Sequence, residues 1–174
     1  MKNSLPIREK ETIQLIKKYY VKEGNQRDLL FFLLCINTGL QANIILNLNI
    51  EDVDRKDYIL HNDKKIPLNS EIQKLIKDIT FGENKKTPLF KSALNKRIER
   101  TTVYRNFKNV CNELGLKNIS LSSLRKTFGY HYYQEFKDLS FLQWLFNQST
   151  VIETMKYIGI TENLSNRFNL EFRL

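Results

Sequence analysis

Apolar residues recur at helical spacing along almost the whole chain, and this period, broken once, restricts the fold more than any other feature. Ile72, Leu75, Ile76 and Ile79 fall at i, i+3, i+4 and i+7 on one face, and Ser70 with Gln73 forms a capping box before them. Val103, Phe107, Val110, Cys111 and Leu114 keep the same period, with Gly115 placed to stop the helix. Ile13, Ile16 and Tyr20 follow Pro6 at helical spacing, Leu29 to Leu40 reads as a buried helix closed by Gly39, and a short helix is expected over Ala42 to Leu48. Leu121, Leu124, Phe128 and Tyr132 mark another, Leu139 to Phe146 the next. Thr150 and Glu153 then form a second capping box that opens a helix containing Tyr157. The exception is Tyr58-Ile59-Leu60 and Lys65-Ile66-Pro67-Leu68, two β-prone runs around His61-Asn62-Asp63-Lys64. The pattern predicts a mainly α fold with one small antiparallel β-hairpin.

Six Gly and three Pro in 174 residues leave no linker, and no repeat is visible, so residues 1–174 read as a single domain. With 41% hydrophobic residues there is enough apolar material for one core, which argues against disorder. Cys35 and Cys111 are the only cysteines and His61 and His131 the only histidines. Neither a disulfide framework nor a metal site has its ligands, a reducing compartment is expected, and no cofactor is implied. The longest apolar run, Leu29 to Ile36, is too short to span a membrane, and Met1 to Pro6 lacks a signal's apolar region. A cytoplasmic protein is the expectation.

A net charge of +9 calls for a polyanionic partner, and the cations are not evenly spread. Lys85, Lys86, Lys91, Lys96, Arg97, Arg100, Arg105 and Lys108 fall in one stretch whose only acidic residue is Glu99. Phosphate contacts need several cations along one surface, and Lys96, Arg97, Arg100, Arg105 and Lys108, with Lys126 further on, are the candidates for DNA. A solvated basic face has the same composition. Arg125 lies on a helix whose core face is Leu121, Leu124 and Phe128, so its guanidinium is expected in a cleft or on the surface, as a phosphate clamp or an ordinary surface arginine. Tyr157 lies two turns into its helix, where tyrosine serves either packing or, beside a bound phosphate and cations, nucleophilic attack.

Taken together these residues resemble the catalytic domain of the tyrosine recombinase (phage integrase) family over nearly the whole chain. Asn37-Thr38-Gly39-Leu40-Gln41, with Leu46 to Val53 after it, is similar to the family's first arginine motif, with Gln41 in the arginine's place. Ser122-Ser123-Leu124-Arg125 is similar to the HxLR motif: Arg125 matches, and Ser122 replaces the histidine. Phe146-Asn147-Gln148-Ser149-Thr150, leading to Tyr157, is similar to the segment before the nucleophile, with Gln148 in place of histidine. The hairpin resembles the one that delivers a catalytic lysine, Lys64 or Lys65 here.

The resemblance implies attack of a tyrosine hydroxyl on a DNA phosphate, giving a 3′-phosphotyrosyl intermediate without a metal, with arginines on the non-bridging oxygens and lysine protonating the leaving 5′-oxygen. Losing one preorganised donor at such a site costs about 3 kcal/mol. With Gln41, Ser122 and Gln148 all substituted, a DNA-binding relative with impaired cleavage, encoded by a bacterium, phage or mobile element, is the expectation. The alternatives are a working recombinase that retains Arg125 and Tyr157, and a protein that modulates a complete recombinase. The family's separate N-terminal arm is not expected. The tail over 161–174, with Leu164, Phe168, Leu170, Phe172 and Leu174, is expected to dock on a second copy, on a full-length recombinase, or on its own domain.

Overall fold

In the computed structural model, which describes residues 4–160, the chain forms eight α-helices and one hairpin. The tail and its predicted docking role lie outside the described residues. The helices are α1 Lys10–Lys22, α2 Gln26–Thr38, α3 Ala42–Asn47, α4 Ser70–Thr80, α5 Arg100–Glu113, α6 Leu121–Phe136, α7 Leu139–Phe146 and α8 Val151–Tyr157. The strands β1 Tyr58–His61 and β2 Lys64–Pro67 pair antiparallel, with His61 opposite Lys64. The fold is therefore the mainly helical one that the sequence predicts.

At the centre is α2. Every residue from Leu29 to Cys35 is buried, so the middle of this helix has no solvent face, and the helix is packed by α1, α3, α4 and α6. Its start is held by Asn25, whose side chain accepts from the Asp28 amide, and the buried Asp28 carboxylate accepts from Arg27 at 2.7 Å and from Asn106 at 3.2 Å. That satisfies a charge whose isolation would be costly. At the other end Gly39 has φ +66°, the left-handed stop expected of it, and it turns the chain so that Gln41 caps the next helix.

The hairpin turn is two residues long, with Asn62 and Asp63 both at positive φ, the geometry that matches strand twist. Ile59 and Ile66 pair on its buried face. The cap of α4 differs from expectation. Asn69, not Ser70, accepts from the Ile72 amide, and the Gln73 amide instead donates to the Leu68 carbonyl. An Asn in extended backbone one residue earlier offers its oxygen to the N3 amide, so Ser70 becomes the first helical residue. Before α8, Thr150 caps the Glu153 amide as expected, but the Glu153 carboxylate reaches the Ser149 amide rather than closing the box on Thr150.

The segment before α1 is an extended strap across α6. The Ile7 amide donates to the Thr127 hydroxyl at 2.8 Å, Lys126 donates to the Ser4 carbonyl at 2.7 Å, and Arg8 donates to the Gly159 carbonyl at 2.8 Å. His131 joins the same strap, with Nε2 at 2.9 Å from the Ile7 carbonyl. The strap thus joins the two ends of the described chain.

Candidate active site

Four elements meet at a pocket of about 240 Å³ lined by Gln41, Ala42, Asn43, Arg100, Leu121, Ser122, Arg125 and Tyr157. Gln41 comes from the start of α3, Arg100 from the start of α5, Ser122 and Arg125 from α6 and Tyr157 from the last residue of α8. Leu121, Ser122 and Arg125 are three and four positions apart, so one helical face presents all of them. A larger groove of about 820 Å³ lies between α4 and the segment over 53–57, but it contains neither Tyr157 nor Arg125.

Arg125 is held on two sides. Its Nε donates to the Gly39 carbonyl at 2.7 Å, and its guanidinium carbon lies 4.4 Å from the Phe146 ring centroid and 5.8 Å from that of Tyr157. One edge of the fork is spent on the backbone and one face on an aromatic ring, which leaves both Nη groups without an acceptor among the described residues. The Tyr157 ring meets Phe146 edge-on at 5.4 Å and has the Lys126 ammonium 5.4 Å from its centroid. Partial burial lowers the pKa of Lys126 below the usual lysine value.

Gly129 makes room for this arrangement. A Cβ there would come within 2.5 Å of Ile158 Cγ2 and 2.9 Å of the Phe146 ring, so α8 can reach α6 only over a residue without a side chain. Ser122 sits at the pocket's edge in a short hydroxyl chain, 2.7 Å from Ser4 Oγ and 2.8 Å from Ser120 Oγ. Ser4 and Ser120 in turn line a neighbouring groove of about 690 Å³ with Tyr104, Lys108 and Lys117. The two concavities adjoin across Ser122.

The remaining residues singled out in the sequence are placed as follows. Gln148 is not part of the pocket lining; its Oε1 is buried without a hydrogen-bond partner, a state that costs about 1–3 kcal/mol when no donor arrives. Lys64 also lies outside the lining and is bound to α7, donating to the Trp144 carbonyl at 2.6 Å with its ammonium 4.1 Å from the indole centroid. Lys65 points to the other face of the strand, over Tyr58. Lys96, Arg105 and Lys108 are exposed, whereas Arg97 is engaged within the fold by the Leu46 and Leu48 carbonyls and Asn49 Oδ1. Lys126 is half-buried behind Tyr157, on the Ser4 carbonyl. Sequence reasoning missed the strap over 4–8, because its contacts join residues more than a hundred positions apart and leave no local signature.

The chain matches the phage integrase family over residues 6–163. It is 37% identical over 169 residues to the probable integrase/recombinase YoeC of Bacillus subtilis, an alignment that covers 91% of each chain. It is 28% identical over 160 residues to a tyrosine recombinase of Pseudothermotoga lettingae, with 86% of this chain and 54% of that one covered, so it spans about half the length of that relative. Among solved structures, XerA recombinase superposes with a TM-score of 0.76 at 18% identity, over 95% of this chain and 65% of that one. A lambda integrase dimer bound to a COC′ core site does so with a TM-score of 0.69 at 14% identity, over 100% of this chain and 52% of the other. At these identities the structural likeness speaks for the fold alone.

Proposed function

The chain belongs to the phage integrase family, and we propose that it is a DNA-binding relative of the tyrosine recombinases that seats a backbone phosphate between Arg125 and Tyr157 and cleaves the strand slowly or not at all. The observation that carries this reading is the shared pocket of Gln41, Ser122, Arg125 and Tyr157. Positions that are scattered in sequence meet in one place, with Arg125 and Tyr157 on its wall. The basic groove through Tyr104, Lys108 and Lys117 adjoins it and offers the DNA backbone a path across α5.

Impairment follows from the chemistry of the other residues. In the family's reaction the tyrosine oxygen forms a bond to phosphorus, the bond to the 5′-oxygen breaks, and that oxygen leaves with a proton. Gln41 and Ser122 donate hydrogen bonds without charge, Gln148 carries no imidazole, and Lys64 is held on a carbonyl of α7. Each weakens stabilisation of the equatorial oxygens or delivery of the proton. The competing reading, a working recombinase, is favoured by the presence of Arg125 and Tyr157 in one pocket.

Two measurements separate them. Affinity for a DNA duplex should fall steeply as salt rises, since phosphate contacts release counterions. A nicked suicide duplex should leave little or no covalent protein–DNA adduct. Abundant adduct that disappears in Tyr157→Phe would establish the working enzyme, and absence of salt-dependent binding would refute both readings.

A further inference from the structure

We infer that Arg100 supplies the second guanidinium of the phosphate pocket, doing from α5 the work that Gln41 cannot do from α3. The inference rests on the phosphate-binding reading of this pocket and names the residue that completes it.

Of the eight residues that line the pocket, two are arginines and none is a carboxylate. Two like charges directed into one small concavity repel, and the arrangement is favourable only when an anion occupies the space between them. A single phosphodiester, with two non-bridging oxygens, is the chemical class that meets two guanidinium forks at once.

Arg8 is bound to the Gly159 carbonyl, Arg27 to Asp28 and the Lys91 carbonyl, Arg97 to Leu46, Leu48 and Asn49, and Arg125 spends its Nε on Gly39. Among the described residues no acceptor engages the Arg100 side chain, and all of its donors remain available. Arg55 is on the larger groove, and Arg105 is outside the lining of the Tyr157 pocket.

Although Arg100 is exposed, its backbone is anchored on both sides. Ile98 is buried at 4% exposure and its amide donates to the Phe90 carbonyl, Arg97 is pinned to the end of α3, and Val103 is buried one turn into α5. An arginine carried on a fixed backbone loses less freedom on binding than one on a mobile loop. Arg97 thus acts as a positioning residue for Arg100, because its three hydrogen bonds tie the approach of α5 to the helix that bears Gln41.

The test follows the Arg125 Nε–H signal by nitrogen–proton NMR while inorganic phosphate is added to the wild type, Arg100→Ala, Gln41→Arg and the double variant. Phosphate should shift the Arg125 signal in the wild type. Arg100→Ala should weaken the response roughly tenfold, the loss of one charge-assisted pair. Gln41→Arg should restore it in the Arg100→Ala background while adding little to the wild type, since one pocket holds one phosphate. Arg100→Lys should fall between, with its charge kept and its fork lost.

An unchanged phosphate response in Arg100→Ala, with backbone signals of α5 intact, would overturn the inference. So would a Gln41→Arg gain of equal size in both backgrounds, because the two positions would then act independently. Duplex binding at rising salt, measured on the same variants, distinguishes the two levels. Salt-dependent binding that persists alongside an Arg100-independent phosphate response removes the clamp and leaves the DNA-binding reading standing. Loss of duplex binding in the wild type removes that reading itself.

Discussion

Arg125 Nε donates to the Gly39 carbonyl at 2.7 Å, so the residue that lines the Tyr157 pocket also holds the end of the central helix. Arg125→Ala should therefore reduce stability by about 1.5–3 kcal/mol, the worth of a hydrogen bond to a charged group, as well as abolish the phosphate response. Arg125→Lys should keep part of the anion affinity but not the stability, since an ammonium cannot hold the carbonyl and lie flat on Phe146 together. Urea unfolding and phosphate titration on the two variants check both halves.

Gly129→Ala is expected to be destabilising although alanine is the better helix former. Overpacking costs about 1–3 kcal/mol and the propensity gain returns about 1, for a net loss of up to about 2 kcal/mol. The clash falls on Ile158 and Phe146, the sequence neighbour and the ring partner of Tyr157. Thermal unfolding should register the loss, and nuclear Overhauser contacts between Phe146 and Tyr157 should weaken with it.

Arg97→Ala and Arg105→Ala should separate structure from binding. The first removes three hydrogen bonds, to the Leu46 and Leu48 carbonyls and Asn49 Oδ1, and should lower the unfolding midpoint. The second removes an exposed cation, should leave the midpoint unchanged, and should reduce the slope of log affinity against log salt by about 0.9, one phosphate contact. Identical effects of the two on the salt slope would argue against the internal role of Arg97.

Stability should decline on the alkaline side. Burial raises the Cys111 thiol from its ordinary value of 9.0 to about 11, so the folded state resists ionisation that the unfolded chain allows. The contribution is fully present below pH 9 and is lost as pH rises through about 11. Cys35 and Tyr20, also raised by burial, act in the same direction. Cys111→Ala should flatten part of this decline in unfolding curves taken across that window.

Much of this was legible in the sequence, for a physical reason. Helical period and glycine stops are local, so α4, α5 and α7 and the hairpin follow from residues within a few positions of one another. Tyr157, Arg125, Gln41 and Ser122 were found through motif resemblance, and they do converge on one pocket. Three things were hidden. Whether an arginine is spent or free depends on which carbonyls lie beside it, so Arg97 and Arg100 looked equivalent in the chain and are opposite in the fold. The hydrophobic period could not show that Gly129 is a contact point for another helix. The lysines of the hairpin alternate across the strand, and only the packing against Trp144 tells Lys64 from Lys65.

The strap that joins Ser4 and Arg8 to α6 and Gly159 has a consequence for the order of events in synthesis. Its contacts span 118 to 151 positions, so the surroundings of Tyr157 cannot form until the chain has emerged past Gly159. A nascent chain that ends at Phe146 can already bury its central helix, yet it has neither Tyr157 nor the anchor for Arg8. Assembly of the pocket that joins Arg125 and Tyr157 is thus a late event in folding, coming after burial of the central helix.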